Sequence, residues 1–289
     1  MPVYDPNDVV FRGYRMGKNQ PLVVTNIDMG DTDFRVHDVD NPLGDDRFFG
    51  RDYLTPPVWS LTVRSITDST AVLKQAVNEL LGLWVTPSRR NPGAYQVLRF
   101  ESDGKMYKVY GRPRKFGADV NQVLRFGGGT ITLDFVLMLP YIFDDEWSSV
   151  TLRTFPSPRP GLIFKAEAPF IFGQSSGPRQ GEINNTGTTP TPLRVTFSGP
   201  STNPKVWSDS GNWLIDVRTT IPYDKTVVVD TVARTVTRSD GANLSAMVSR
   251  KTDLGARIAP GRQEVFYQAV DRDGVSTAKI DWLSGGFGI

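Results

Sequence analysis

Apolar and polar residues alternate with a period of two through much of the chain, which is the spacing of a half-buried β-strand. In residues 58–66, Trp59, Leu61 and Val63 fall on one face, and the other face is more polar. Gly, Pro, Asn and Asp separate such segments at short intervals, as turns do. The Ser102-Asp-Gly104 turn suits a hairpin, because Gly tolerates positive φ. Strands are predicted over residues 22–27, 34–39, 58–66, 95–100, 105–110, 130–139, 193–197, 206–208, 213–217, 226–230, 235–238, 265–269 and 279–282. The chain is therefore predicted to be mainly β.

One segment, residues 69–83, instead follows the i, i+3, i+4 spacing of an amphipathic helix. Asp68 is predicted as its N-cap, because the carboxylate can accept from N–H groups of the first turn. Gly82 and Pro87 are predicted to end it. The stripe expected to be buried against a sheet consists of Val72, Leu73, Ala76, Val77, Leu80 and Leu81.

A proline-rich stretch, residues 155–161, is predicted to separate two domains. Its three prolines stand at alternate positions, where they enforce extended backbone and stop regular structure. The predicted domains are residues 1–160 and 161–289, and 289 residues suit two domains of ordinary size. The second is a run of short strands punctuated by turn residues, which is typical of a β-sandwich.

Composition excludes several kinds of chemistry. There is no cysteine, so disulfides, thiolate metal sites and cysteine nucleophiles are ruled out. The 33 basic and 31 acidic residues nearly cancel, and no sequence-specific nucleic-acid binding is expected. The longest apolar run, residues 135–139, is too short for a bilayer, and no signal peptide is seen, so membrane insertion is not expected. No metal and no cofactor is predicted.

Candidate catalytic groups are few, and the chain is predicted not to be an enzyme. The only histidine, His37, neighbours Asp38 and Asp40, but no Gly-x-Ser-x-Gly elbow presents a serine to it. The acidic runs 45–46 and 144–146 offer carboxylates for a glycosidase pair or a calcium site, yet neither matches an EF-hand loop. An enzyme that acts on cell-wall polysaccharide through these carboxylates remains an alternative.

The order of these features resembles the distal tail (Dit) proteins of siphophages, minor tail proteins such as those of phages that infect actinobacteria. In the first half, the resemblance rests on a strand pair, a loop, strand 58–66, one helix, a hairpin and a long strand. In the second half, it rests on these motifs: Asn184-Asn-Thr-Gly187 with Pro190 and Pro192, Ile215-Asp216, Val229-Asp230 leading to Arg234-Thr-Val236, and Pro260-Gly261 before Val265-Phe-Tyr267.

The resemblance implies a fold for each half of the chain. Residues 1–160 are expected to form a tail-tube-like β-sandwich or split barrel with one amphipathic helix. Residues 161–289 are expected to form a galectin-like β-sandwich, a label that describes shape and transfers no sugar-binding residue.

The resemblance also implies a function, that of a structural component of the tail tip. Six copies would form a ring that joins the tail tube to the tip or baseplate, and DNA and the tape-measure protein would pass through its channel. The expected partners are copies of this chain, the tail tube protein, the tape-measure protein and the receptor-binding proteins of the tip. The expected location is the distal end of the tail in the virion, after assembly in the host cytoplasm.

Two sets of residues are candidates for contacts. A predicted basic loop, 112–128, is hypothesised to pair with the acidic loop of a neighbouring subunit; the alternative is that both loops are simply solvated. The residues concerned are Arg112, Arg114, Lys115 and Arg125 on one side, and Asp45 and Asp46 on the other.

The second candidate is Trp207, near a turn, which is a candidate for contact with a glycan or a partner protein. Trp213 alternates with Ile215 and Val217 and is predicted to lie in the core instead. If Trp207 binds sugar, the second domain is a carbohydrate-binding adhesin module that recognises host cell-surface glycans, which is the alternative function.

Overall fold

The protein is mainly β, as predicted, and divides into two compact units. The structure is a computed structural model that describes residues 8–31, 33–67, 69–86, 93–118, 129–154, 179–271 and 274–287. The units are Met1–Asp145 with Phe287–Ile289, and Glu146–Gly286. The predicted boundary at 160/161 lies outside the described residues and stays a prediction. Residues 148–153 form a strand that pairs within the second unit.

The first unit is built on one antiparallel sheet in the order β2-β1-β9-β10-β11-β8-β3, with β12 beside β10. Two short strand pairs, β4–β7 and β5–β6, are separate from it. The strands are β1 (Val9–Phe11), β2 (Tyr14–Met16), β3 (Leu22–Asp28), β4 (Asp33–Arg35), β5 (Val39–Asp40), β6 (Arg47–Phe48), β7 (Tyr53–Thr55), β8 (Val58–Ser65), β9 (Gln96–Ser102), β10 (Lys105–Ala118), β11 (Thr130–Leu137) and β12 (Ile142–Asp144).

The turn of the β9–β10 hairpin was predicted correctly, but β10 was predicted too short. Asp103 and Gly104 have φ of 51° and 78°, the left-handed pair that a two-residue hairpin turn requires. Strand β10 does not stop at Tyr110, because its second half pairs with β11. The register shifts between Pro113 and Phe116, and this irregularity accommodates a proline that has no N–H for the ladder.

The helix, α1 (Thr70–Val85), differs from the prediction at both ends. Ser69 is the N-cap, one residue after the predicted Asp68, which lies outside the described residues; the Ser69 hydroxyl accepts from the Val72 amide at 3.5 Å. Gly82 does not end the helix. One more turn buries Trp84, whose indole N–H donates to the carbonyl of Lys115 at 2.9 Å.

Tertiary packing therefore selects a different helix face from the predicted stripe. Val72 and Leu81 are 43% and 38% exposed. The buried residues of the helix are Leu73, Ala76, Leu80 and Trp84. Trp84 packs against Phe11 with ring centroids 4.8 Å apart. Each large side chain buried here contributes about 1.5–3 kcal/mol before entropy.

The second unit is a sandwich of two antiparallel sheets, β13-β23-β15-β19-β20 and β14-β22-β16-β17, with β21 beside β15 and β18 beside β16. A short 3-10 helix covers Ser245–Met247. The strands are β13 (Ser148–Arg153), β14 (Arg179–Asn185), β15 (Thr191–Ser198), β16 (Ser201–Ser208), β17 (Trp213–Asp216), β18 (Thr220–Ile221), β19 (Thr226–Asp230), β20 (Thr235–Arg238), β21 (Arg257–Ile258), β22 (Gly261–Val270), β23 (Thr277–Trp282) and β24 (Gly285–Gly286).

Both sheets of the sandwich contribute alternate residues to one core. Val195 and Phe197 point inward from β15, and Val206 and Tyr267 come from the opposite sheet. Trp213 is 5% exposed, so its predicted place in the core is confirmed. Strand β13 was not predicted, because its sequence is polar and Leu152 is its only buried residue.

Candidate interaction surfaces

The acidic run at the end of the first unit is held in ion pairs. A carboxylate oxygen of Asp144 lies 2.8 Å from the Lys105 ammonium. The Asp145 carboxylate lies 3.1 Å from the Lys108 ammonium and 3.0 Å from Nε of Arg99. A glycosidase needs two carboxyl groups that face each other across a substrate cleft. Both of these carboxylates instead fix the end of the unit to the neighbouring strands.

The other acidic and histidine candidates lie in residues 33–55, hereafter the ribbon. His37 is exposed; its Nδ1 lies 3.3 Å from the carbonyl of Arg51, and its ring meets Tyr53 edge-on. Asp46 accepts from the side-chain amide of Asn41 at 2.7 Å. Across the described ranges, no three His, Cys, Asp or Glu side chains are grouped so that they could hold a metal ion. In the same ranges, no helix is both long and apolar enough to cross a membrane.

The ribbon consists of two short strand pairs that carry apolar side chains into solvent. In β4–β7, Phe34 stands opposite Leu54, and in β5–β6, Val39 stands opposite Phe48. Residues directly opposite each other share one face. The large apolar residues exposed along the ribbon are Phe34, Val36, Val39, Leu43, Phe48, Phe49 and Tyr53. Two-stranded pieces of this size have no core of their own.

Local hydrogen bonds nevertheless give the ribbon a defined end. The Asn41 amide donates to the carbonyl of Asp46 at 3.0 Å, and the Leu43 amide donates to the Asn41 side chain at 3.1 Å. This turn holds Leu43 out with 96% of its surface exposed. Asp45 is also exposed beside it. The tip of the ribbon therefore presents one apolar and one acidic side chain.

The predicted basic loop is strand for most of its described length. Arg112, Arg114 and Lys115 lie on β10, and Arg125 lies outside the described residues. Nε of Arg112 donates to the carbonyl of Ala94. Arg114 and Lys115 are exposed. A cavity of about 280 Å³ at this end of the sheet is lined by Gly93, Ala94, Tyr95, Gly111, Arg112, Arg114, Val136, Leu137 and Met138.

Trp207 is half-buried on the outer face of the second sheet of the sandwich. It stands between Phe266 on β22 and Leu214 on β17. Phe266 stacks with its indole at a centroid distance of 5.4 Å and an interplanar angle of 24°. On the Leu214 side lies an open cleft. Its lining is Trp207, Ser208, Asp209, Asn212, Trp213, Leu214, Lys251 and Asp253.

The Asn184-Asn-Thr-Gly187 motif of the sequence has a structural explanation. Asn185 is 1% exposed, and its side-chain amide donates to the carbonyls of Thr189 and Ile258 at 2.9 and 3.0 Å. Its side-chain oxygen accepts from the Gly187 amide at 3.0 Å. A Cβ on Gly187 would lie 2.3 Å from the carbonyl oxygen of Gly285. Asn185 is thus the buried, hydrogen-bonded residue of the Asn-Asn-Thr-Gly stretch, in which Asn184 and Thr186 are exposed.

Comparison with protein families supports the resemblance seen in the sequence. Residues 186–282 match the SPP1_Dit family, described as the C-terminal domain of a siphovirus-type tail component. No curated protein matches the chain by sequence.

Solved structures extend the likeness to nearly the whole chain. One is the Dit protein (gp 19.1) of phage SPP1, described as a paradigm of the hub adsorption apparatus in phages that infect Gram-positive hosts. It matches with a TM-score of 0.59 at 12% identity, and the match covers 97% of this chain and 99% of that one. A chain from the baseplate of phage P2, in its activated conformation with Ca, matches with a TM-score of 0.56 at 11% identity. That match covers 92% of this chain and 91% of the baseplate chain. The chain therefore has the fold of the distal tail proteins, and its residues 186–282 match the C-terminal domain of siphovirus-type tail components.

Proposed function

We propose that this chain is a ring-forming hub of the tail tip. In this proposal, six copies close a ring through their first units, the ring joins the tail tube to the tip or baseplate, and DNA passes through its channel. The family match and the fold support a tail role. The observation that carries ring formation is the ribbon, whose apolar residues are left exposed by the described part of the first unit.

Covering the ribbon with a neighbouring copy accounts for its composition. An isolated two-stranded ribbon is marginally stable in water. Large exposed apolar patches mark interaction sites. Burial of Phe49, which is 84% exposed, or of Leu43 would stabilise each contact by about 1.5–3 kcal/mol. Head-to-tail contacts of this kind form a closed ring when the rotation between neighbours closes.

Charge selects the surface that would receive the ribbon. Residues 33–55 contain six aspartates and three arginines, so the ribbon is acidic. The far end of β10 is basic and adjoins the apolar cavity beside Tyr95 and Met138. In the proposed contact, Asp45 of one copy meets Arg114 or Lys115 of the next. Arg112 and Asp46 already bond within their own chain and would shape the two surfaces, and Arg125 is proposed to extend the basic side.

Other partners follow from this position in the tail. The tail tube protein would stack on the ring, the tape-measure protein would occupy its channel before DNA release, and tip or receptor-binding proteins would attach at the periphery. Assembly would take place in the host cytoplasm. A glycan-binding adhesin role for the second unit is compatible with a ring, because it would use a different part of the chain.

The test is the mass of the purified protein by light scattering, with negative-stain imaging of the same fraction. We expect a hexamer with an open channel. The double variant Leu43→Asp and Phe49→Asp should give monomers with an unchanged circular dichroism spectrum, since both side chains are exposed in one copy. The matched control is Tyr223→Asp, which changes an 82% exposed aromatic residue of the second unit and should leave the ring intact.

Two results would contradict the proposal. The first is a wild-type protein that stays monomeric even when the tail tube protein is added. The second is a ring that survives the double variant unchanged, which would show that the ribbon is not the contact. Charge reversal at Arg114 should weaken ring assembly, and adding Asp45→Arg to the same chain should restore it. This pair of variants tests the proposed ion pair separately.

A further inference from the structure

The cleft beside Trp207 is built like a small-ligand site on the second unit. Its volume is about 370 Å³, within the range of known small-molecule pockets. One wall is apolar, formed by Trp207 and Leu214. The rim is polar and comes from two separate segments, the turn after β16 and the stretch that contains Lys251 and Asp253. Five of the eight lining residues are polar, which suits a ligand rich in hydroxyls, since placed polar groups fix a ligand's orientation in a pocket.

The first rim segment is fixed by its own hydrogen bonds. The Ser208 hydroxyl accepts from the Gly211 amide at 3.0 Å, and the Asn212 amide donates to the carbonyl of Asp209 at 3.3 Å. A Cβ on Gly211 would lie 2.4 Å from the side-chain oxygen of Gln263, so this turn packs tightly on the sandwich. Asp209 and Asn212 are therefore held at set positions beside the cleft.

The second rim segment is fixed to β17. The Thr252 hydroxyl accepts from the amide of Asp216 and donates to its carbonyl, both at 3.0 Å. The Asp253 amide donates to the carbonyl of Leu214 at 2.9 Å. Lys251 and Asp253 thus flank the strand that carries the apolar wall. Positions fixed before binding lower the entropy cost of binding a ligand.

Three polar side chains of the rim are available for a ligand, and the Asp253 carboxylate accepts from the Gly255 amide at 2.8 Å. Among the residues that the structure describes, the side chains of Asp209, Asn212 and Lys251 make no hydrogen bond or ion pair with the protein. Lys205 lies with its ammonium 5.1 Å from the indole centroid of Trp207. The lining itself carries one lysine and two aspartates, so it has an excess of negative charge.

We propose that this cleft binds a neutral saccharide, with one pyranose ring packed on Trp207 and Leu214. A pyranose has an apolar face of C–H groups and a belt of hydroxyls. The indole offers the apolar face a flat surface, and Phe266 stacked behind it fixes its angle. The carboxylates of Asp209 and Asp253 accept from hydroxyls, and Lys251 donates to them. The two carboxylates outnumber the one ammonium of the lining, and this negative charge favours a neutral sugar over an anionic one.

The probes are methyl pyranosides of glucose, galactose, mannose, rhamnose and N-acetylglucosamine, titrated into the full chain. Saturation-transfer NMR and tryptophan fluorescence report the contact. We expect saturable binding of at least one sugar. Trp207→Leu should weaken it about tenfold or more, because the aromatic surface is lost while an apolar side chain remains. Asp209→Asn should weaken it severalfold. Tyr223→Leu, an exposed aromatic residue away from the cleft, is the matched control and should bind like wild type.

Each contrary result overturns the proposal. These results are the absence of saturable binding by all five sugars, binding that both cleft variants retain, or binding that the Tyr223→Leu control loses equally. Ring assembly, measured by light scattering on the same samples, should not change in Trp207→Leu or Asp209→Asn. Saccharide binding and ring formation can therefore fail independently of each other.

Discussion

Replacing Asp145 with asparagine is expected to destabilise the first unit far more than the same change at the adjacent Asp144. The two carboxylates have the same chemistry and are one residue apart, but their partners differ in burial. The side chain of Lys108, which pairs with Asp145, is 3% exposed. The side chain of Lys105, which pairs with Asp144, is 51% exposed. Asp145 also pairs with Arg99, whose side chain is 38% exposed, and the buried Lys108 is the larger difference between the two sites.

The expected magnitudes follow from that difference. An exposed ion pair contributes about 0–1 kcal/mol, so Asp144→Asn should cost less than about 1 kcal/mol. Removal of one partner from a buried pair costs about 3–5 kcal/mol, because the other charge is left uncompensated. The carbonyl of Asp145 stays 3.4 Å from the Lys108 ammonium in the variant. We therefore expect the low end, about 3 kcal/mol, for Asp145→Asn.

Urea unfolding at pH 7, followed by tryptophan fluorescence, measures both variants. Two units can unfold in separate steps, so the transition of the first unit is the one to compare. With a denaturant slope of about 2 kcal/mol per molar, the midpoint should fall by about 1.5 M for Asp145→Asn and by less than about 0.5 M for Asp144→Asn.

The double variant Asp145→Asn with Lys108→Met is the control. It removes the buried charge as well as its partner, so it should recover much of the lost stability. Equal midpoints for Asp144→Asn and Asp145→Asn would refute the reasoning, and so would a double variant less stable than Asp145→Asn alone. Either result would show that the Lys108 ammonium does not depend on this carboxylate.

Two further predictions concern the cores of the units. Burial raises the pKa of Tyr267 to about 12, so the folded protein keeps a proton that the unfolded chain loses near pH 10. The free energy of unfolding should therefore fall by about 2–3 kcal/mol as the pH rises from about 10 to about 12. Urea titrations at alkaline pH should show this fall in the wild type and not in Tyr267→Phe. Gly111→Ala should cost about 1–3 kcal/mol of stability, because the new Cβ would lie 2.2 Å from the Val136 carbonyl oxygen. Gly82→Ala, in the helix and with open space around it, should stabilise by up to about 1 kcal/mol. Thermal unfolding that ranks the two variants in the reverse order would contradict both expectations.

Strands with one buried face were predictable from residue pattern alone. Trp59, Leu61 and Val63 alternate with more polar residues, and all three are buried in β8. The turn at Asp103 and Gly104 was predictable because few residues other than Gly, Asn and Asp tolerate positive φ. Ends of elements were less predictable. Strand β10 and helix α1 both continue past their predicted ends, because β11 and the core around Phe11 supply partners distant in sequence.

The candidate surfaces were likewise predictable only in part. The sequence placed a surface tryptophan at 207, and it identified Asp45 and Asp46 as an acidic group. It did not reveal that Asp209, Asn212, Lys251 and Asp253 come together around that tryptophan, because more than thirty residues separate the two rim segments. It also treated residues 112–118 as a loop, where the structure has a strand that ends in a basic, apolar-lined cavity.

The sequence by itself determined the mainly β class, the amphipathic helix of the first half, the sandwich of the second half and the resemblance to distal tail proteins, because these depend on local periodicity and on the order of motifs. Only the tertiary structure decided which apolar residues stay exposed. Phe48 and Leu61 are both apolar residues in strands, yet one is 59% exposed on the ribbon and the other is fully buried. Burial depends on what packs against a strand, and a residue's own sequence neighbours do not specify that contact.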